Sequence, residues 1–279
     1  MLRIRGMTVA DIPLGMRLKE QSGWNQVEGD WRRLLDLQPD GCFVAELDGV
    51  SVGTVTTCRF ELVAWVAMML VDKSFRSHGI GRALMCRALD DLDSAGIRTI
   101  RLDATPLGRP LYESLDFVAE ATFARYVGVL PPADEPPRLN ETRAPEVLGG
   151  LTTLDLHVTG TDRGRLLHRL ADEYPGSLRV AFEAGEIAGF LLARPGSRAR
   201  RIGPCIAGER AGPLLLDDAR RMYAGEEVTI DSPIANAPAV ALAESWGLRV
   251  SGLLTRMGRG LPVKEDLNRL WASAGPEKG

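Results

Sequence analysis

A chain of 279 residues with 45% hydrophobic and 25% charged side chains has the make-up of a globular protein of one large domain or two ordinary ones. Its formal net charge of −3 provides neither a basic field for nucleic acid nor an acidic solvating tail. The N-terminal M-L-R-I-R-G-M-T lacks a signal peptide's apolar core and no apolar run approaches membrane-spanning length, so a cytoplasmic protein without membrane partners is expected. The four cysteines, Cys42, Cys58, Cys86 and Cys205, lie far apart with no C-x-x-C pair, which points to free thiols and against a zinc site.

Leu2 to Ile4 reads as a short first strand. Thr8 then stands as N-cap, with Asp11 as the acidic partner of a capping box, ahead of the helical run V-A-D-I-P-L-G-M-R-L-K-E. Ser22 to Gln26 is a loop, followed by a helix through Trp31 and Leu35. Cys42–Leu47 and Val50–Thr57 form a hairpin about Asp48-Gly49, a dipeptide suited to a tight turn. Trp65 to Val71 is a continuous apolar run of strand length, as in a strand covered on both faces. After Asp72 the period changes. Ile80, Leu84 and Leu89 fall near helical spacing, so a helix starts near Gly79–Gly81 and is capped at Ala95-Gly96. Arg98 to Asp103 returns as a strand parallel to the Trp65 strand by the crossover rule. Thr105 to Glu113 leads through a loop into a short helix, and Phe117 to Val129 supplies the last strands of this half. Leu130-Pro-Pro-Ala-Asp-Glu-Pro-Pro-Arg138 is too rich in proline for a helix or a central strand.

Between the apolar strand and the helix lies Arg76-Ser77-His78-Gly79-Ile80-Gly81-Arg82. Two glycines let the backbone approach a ligand, and the N–H groups of the first helical turn point outward unpaired. With the helix dipole they make a seat for a phosphate or pyrophosphate, and Arg76 and Arg82 add formal charge. This loop, with a strand ending V-D before it, a helix after it and L-Y-E-S-L-D-F at 111–117, resembles the R/Q-x-x-G-x-G/A region of the GNAT acetyltransferase superfamily.

The resemblance implies acetyl-CoA as co-substrate and no metal. It implies that Arg76, Ser77, His78, Gly79, Ile80, Gly81 and Arg82 hold the pyrophosphate, and that the backbone of Leu70 and Val71 pairs with the pantetheine arm in a gap between splayed parallel strands. A backbone N–H near Leu70 would polarise the thioester carbonyl, and Tyr112 would be the general acid at the sulfur. The Trp65–Val71 strand has no carboxylate where some relatives carry a Glu base. Asp103, Glu61 and Glu46 are then the candidates, acting through water, unless a low-pKa amine needs none. Trp24, Trp31 and Thr105 are candidate acceptor contacts, although Trp31 also falls at core spacing with Leu34 and Leu35. Asp116 stands where the superfamily has Gly, a left-handed position that Asp tolerates.

Past the proline-rich stretch the chain repeats itself. Val44-Ala45, Gly49 and Gly53 recur as Val180-Ala181, Gly185 and Gly189 at identical spacing, residues 111–117 recur at 242–248, and Arg125-Tyr126 recurs as Arg256-Met257. The second copy lacks the R-x-x-G-x-G loop, brings Glu209 to its helix start and has Ala243 in place of Tyr112, so it is not expected to hold acetyl-CoA. It keeps Asn236 at the position of Thr105, a candidate acceptor contact from the other side of the cleft.

This layout resembles bacterial proteins with an N-terminal GNAT domain followed by a YitH-type acetyltransferase-like domain. The expected fold class is α/β with a mixed α+β sheet: tandem GNAT folds, each a central mixed sheet flanked by helices with a splayed parallel strand pair. The expected boundaries are 1–130 for the coenzyme-binding catalytic domain, 131–144 for the linker and 145–279 for the degenerate domain walling the acceptor pocket. The implied activity is direct acetyl transfer to the amine of a small-molecule acceptor. A coenzyme sensor without turnover, a protein N-acetyltransferase, and a second copy that serves as scaffold or homodimer contact stay open.

Overall fold

The computed structural model describes residues 1–139 and 145–278. The proline-rich stretch is neither helix nor strand from Pro131 to Leu139, and the rest of the expected linker, 140–144, lies outside the described residues. Among the described residues no helix is long and apolar enough to cross a membrane.

In the first half, β1 (Leu2–Gly6) pairs antiparallel with β2 (Cys42–Leu47), which turns through Asp48 and Gly49 into β3 (Val50–Phe60). Both turn residues take positive φ, 50° and 82°, as the Asp-Gly pair implies. Next to β3 runs β4 (Val63–Val71), which connects through α3 (Ile80–Ser94) to the parallel β5 (Thr99–Ala104). Between β1 and β2 come α1 (Ile12–Ser22) and α2 (Glu28–Leu37). The short α4 (Arg109–Glu113) precedes β6 (Val118–Val129), a single strand where the sequence suggested more than one. Asp116, in the turn before β6, has φ 65°, and its repeat partner Gly247 has φ 77°.

The second half opens with α5 (Pro145–Thr159) and α6 (Gly164–Glu173) and then follows the same order. Its elements are β7 (Arg179–Glu183), β8 (Glu186–Arg194), β9 (Arg200–Ala207), α7 (Ala211–Met222), β10 (Glu227–Pro233), α8 (Ala237–Ser245), β11 (Arg249–Gly260) and a short β12 (Leu270–Ala272).

Alternation along the strands sends successive side chains to opposite faces, and each face has its own cover. Phe43 and Ala45 pack under α3 with Leu84, Met85 and Leu92. Cys42 and Val44 face the other way, toward Leu18, Trp31 and Leu34 of α1 and α2, in a core that continues into Leu166, Leu170 and Phe190 of the second half. Burying a side chain of that size is worth roughly 1.5–3 kcal/mol, so this shared layer is a large part of what joins the halves.

The strands form one mixed sheet in the order β1-β2-β3-β4-β5-β11-β6-β10-β9-β8-β7, with β12 added at β9. Each half has the mixed sheet and flanking helices anticipated from the sequence, but the last strand of each has crossed over. β11 pairs with β5, β6 pairs with β10, and β6 and β11 pair with each other. The linker divides the sequence; strand pairing runs across it.

Two buried ion pairs, related by the repeat, stand at the crossing points. Arg256 lies opposite Asp103 and donates to it from Nε and Nη2 at 2.9 and 3.1 Å. Arg125 lies opposite Asp231 and donates from the same two nitrogens at 2.7 and 2.8 Å. Arg256 also lies over the rings of Trp65 (4.9 Å) and Phe123 (4.1 Å). Replacing Arg256 by Met would leave the Asp103 carboxylate buried without a cation. We expect Arg256→Met to lose about 3–5 kcal/mol of stability, read as a fall in the denaturant midpoint. An unchanged midpoint would mean the crossing does not depend on this pair.

Candidate active site

A cleft of about 800 Å³ opens where β4 and β5 part company. The two strands pair only at Val63, Ala64 and Trp65; beyond that, β4 runs on to Val71 without β5 beside it. The cause is a register shift between β3 and β4, with Met68 at φ 47° and its carbonyl accepting a hydrogen bond from Thr54 Oγ1 at 2.8 Å. A non-glycine residue held in that region costs on the order of 1–3 kcal/mol, offset here by the surrounding ladder. The result is a strand edge with backbone groups turned to the cleft.

At the end of this edge the chain rises into α3. Gly79 caps the helix at φ 76°, a conformation glycine adopts without strain, and Ser77 before it has φ 64°. Nothing stands within 4 Å of where a Cβ on Gly79 would be, so the approach to the helix start is open. Arg76 is held in place by donating from Nε to Val71 O at 3.0 Å, and Arg82 donates from Nη1 to Ser114 Oγ at 2.9 Å. Unpaired N–H groups, a helix N-terminus and two guanidiniums together suit a phosphate-bearing ligand. Leu70, Val71, Arg76, Ser77, Gly79, Ile80, Gly81 and Arg82 all line the cleft. His78 does not; it is exposed, with Nδ1 2.7 Å from the carbonyl of Arg76.

Tyr112 lies on the far wall, on α4, buried against Phe117 with ring centroids 6.1 Å apart. Burial alone pushes its phenol up to about 12, so the hydroxyl keeps its proton across the physiological range. Thr105 lines the same wall, its Oγ1 accepting from Gly108 N at 3.2 Å. Trp24 lines the opposite side. Its loop is pinned by the second half, since Asn25 Nδ2 donates to Ala199 O at 2.8 Å.

Five of the sequence's candidates lie elsewhere or are occupied. Trp31 is fully buried, and a Cβ on Gly15 would stand 2.8 Å from its ring, so it is the packing contact between α1 and α2. Asn236 is buried as the cap of α8, accepting from Ala239 N at 3.1 Å and donating to Asn268 O and Leu270 O. Glu46 is paired with Arg5, and Glu61 sits exposed on the β3–β4 turn. Asp103 does line the cleft, but both its oxygens are held by Arg256.

Sequence reading expected the second half beside the acceptor but did not name the residues: Leu254, Pro276 and Glu277 line the cleft, together with Arg125 and Gln26 from the first half. The Arg125/Arg256 repeat was a usable clue; nothing in the sequence places Glu277. Burial would raise that carboxyl, but Lys278 and Arg194 outweigh it and hold the group well below its ordinary value. Among the described residues no group of three or more His, Cys, Asp or Glu is placed to hold a metal ion.

The second half contains the same groove, filled. β9 and β10 also pair at only three positions before parting, and Gly189 faces Ala207 as Gly53 faces Val71. Here β12 lies along the free edge, pairing with Ile206 and Cys205. Ala207 N donates to Arg269 O at 2.9 Å, and Trp271 Nε1 donates to Ala207 O at 3.2 Å, just as Arg76 donates to Val71 O. The Trp271 ring occupies the helix start: a Cβ on Gly212 would fall 1.9 Å from it. In the second copy the free edge is thus taken by an extended strand of the chain itself, whereas the edge of β4 stays open.

A bulged, splayed strand pair leading into a helix, present twice and glycine-capped in the first copy, is the frame of an acetyltransferase fold. Residues 38–119 match an Acetyltransferase (GNAT) domain family, and residues 151–272 match a second family of the same description. The chain belongs to the GNAT acetyltransferases, as a tandem of two such domains. It is similar to a candidate acetyltransferase from Pyrococcus horikoshii over 100% of this chain and 96% of that one, at 26% identity and a TM-score of 0.85. A GCN5-related N-acetyltransferase from Sphaerobacter thermophilus shares the fold over 95% and 97% of the two chains, at 16% identity and a TM-score of 0.66. A tandem GNAT protein from the clavulanic acid biosynthesis pathway does so over 95% and 100%, at 15% identity and a TM-score of 0.66. No curated protein sequence matches.

The state of Tyr112 can be measured directly. In the folded protein its tyrosinate absorbance, taken as wild type minus Tyr112→Phe, is expected near pH 12 and not near 10. The raised folded value means that the stabilisation it brings is fully present below pH 10 and is lost as pH rises toward 12. Ionisation at pH 10 in the folded state would mean the ring is not buried as described.

Proposed function

We propose that this protein transfers the acetyl group of acetyl-CoA to the amine of a small acceptor, with the coenzyme in the first half and the second half walling the acceptor side. The observation that carries this reading is the contrast between the grooves: one is open and faces Tyr112, while its copy is filled by β12 and has Ala243 at the corresponding position.

When bound, the coenzyme supplies an acetyl group activated as a thioester. The first-turn N–H groups of Ile80, Gly81 and Arg82, with the Arg76 and Arg82 guanidiniums, suit its pyrophosphate. The β4 edge through Leu70 and Val71 suits the amides of its arm, and a backbone N–H there suits the thioester oxygen. Tyr112 gives its proton to the sulfur set free when the C–S bond breaks, as the amine nitrogen bonds the acetyl carbon and sheds a proton to water. Because one chain builds both walls of the cleft, no second copy is needed to complete the site.

Calorimetric titration is expected to show one coenzyme per chain, since the second groove is closed. Tyr112→Phe should lower kcat about a hundredfold while leaving coenzyme affinity unchanged. Unchanged kcat would remove Tyr112 from the acid role. Coenzyme binding without thiol release on any amine would instead identify a sensor.

A further inference from the structure

The two crossing arginines are used differently. Arg256 spends Nε and Nη2 on Asp103, and its Nη1 donates to the Glu265 carboxylate at 2.6 Å. Arg125 spends the same Nε and Nη2 on Asp231. Its Nη1 has no hydrogen-bond partner among the described residues, and the side chain, 24% exposed, lines the cleft. Where the repeat puts a carboxylate on one arginine, the other presents an open fork to the acceptor side.

The charge around Arg125 favours the same occupant. Asp231 Oδ2 also accepts from Arg201 Nη1 at 2.8 Å, so two guanidiniums share one carboxylate. Glu277 is near enough to act on Arg125, but its oxygens accept from Arg194, Lys278 and Gln26. A positive charge with a free bidentate face therefore looks into a cleft that Asp103 and Glu277 also line, with Lys73, Arg76 and Arg82 as its further cations.

Resting on the transferase reading above, we propose that the acceptor is a small zwitterion, a free amino acid, whose carboxylate binds Arg125 Nη1 while its amine faces the β4 edge. In a peptide or protein acceptor the carboxyl beside the terminal amine is an amide and lacks this charge. The subsite therefore selects free amino acids over protein N-termini. Arg125 is a specificity-determining contact, and Asp231 and Arg201 position it.

The test is thiol release by the wild-type protein on matched sets of acceptors: a free amino acid, its primary amide, and the amine lacking the carboxyl, with short aliphatic, aromatic and acidic side chains. In at least one set the free acid should exceed its amide by about tenfold or more in kcat/KM, the value of one charge-assisted hydrogen bond. Arg125→Gln should collapse that ratio toward one with coenzyme affinity retained; Arg125→Lys, which keeps the pair with Asp231, guards against a variant that fails to fold. Amides or decarboxylated amines turned over as well as the acids in every set would overturn the proposal, as would no turnover of any free amino acid by coenzyme-loaded protein. Both results leave coenzyme binding intact, whereas failure of the transferase reading would show as no coenzyme binding or no thiol release on any amine.

Discussion

The structure depends on two arginine–aspartate pairs set across a pair of exchanged strands. A charge buried alone is expensive, so an arginine in the middle of a sheet commits its strand to lie where a carboxylate waits. Arg256 finds Asp103 only if β11 enters the first half, and Arg125 finds Asp231 only if β6 enters the second. The exchange is therefore specified by polar side chains, with the hydrophobic layers on each face adding most of the free energy. Its functional effect is direct: residues of β6 and β11, Arg125 and Leu254, become walls of the first half's cleft.

Duplication left two grooves, and the molecule uses them unequally. In the first, the β4 edge and the start of α3 stay open. In the second, β12 takes the edge and Trp271 the helix start, so backbone groups that could pair with a ligand are paired with the chain itself. Gly212 makes room for the indole, whereas open space surrounds Gly79 at the start of α3. The same local geometry is an open groove in one copy and part of the core in the other.

Past β12, the chain's end turns back to the junction. Trp65 Nε1 donates to Pro276 O at 3.1 Å, and Lys278 reaches Asp30 at 3.2 Å, beside Arg33. The segment that seals the second groove thus continues into the wall of the first. Closing one groove and shaping the other are carried by one stretch of chain, residues 269–278, tethered at its start by Asn236.

Much of this was legible in local sequence. The hairpin at Asp48-Gly49, the helix start at Gly79–Gly81, the left-handed turn at Asp116 and the repeat all follow from short-range backbone preferences and periodicity, which neighbouring residues determine among themselves. The glycine-rich loop could be read as a phosphate seat because its chemistry lies in consecutive backbone N–H groups. Trp31 and Asn236 could not be placed: a tryptophan at core spacing and an asparagine before a helix look alike whether they face a ligand or the interior, and only packing against Gly15 and β12 separates the two. Strand exchange, the filled groove, and the meeting of Arg125 and Glu277 with Tyr112 in one cleft join separate elements of the chain. Those were decided by tertiary structure, because which strand edge pairs with which depends on the total burial and charge neutralisation of the finished sheet, a quantity that no window of sequence contains.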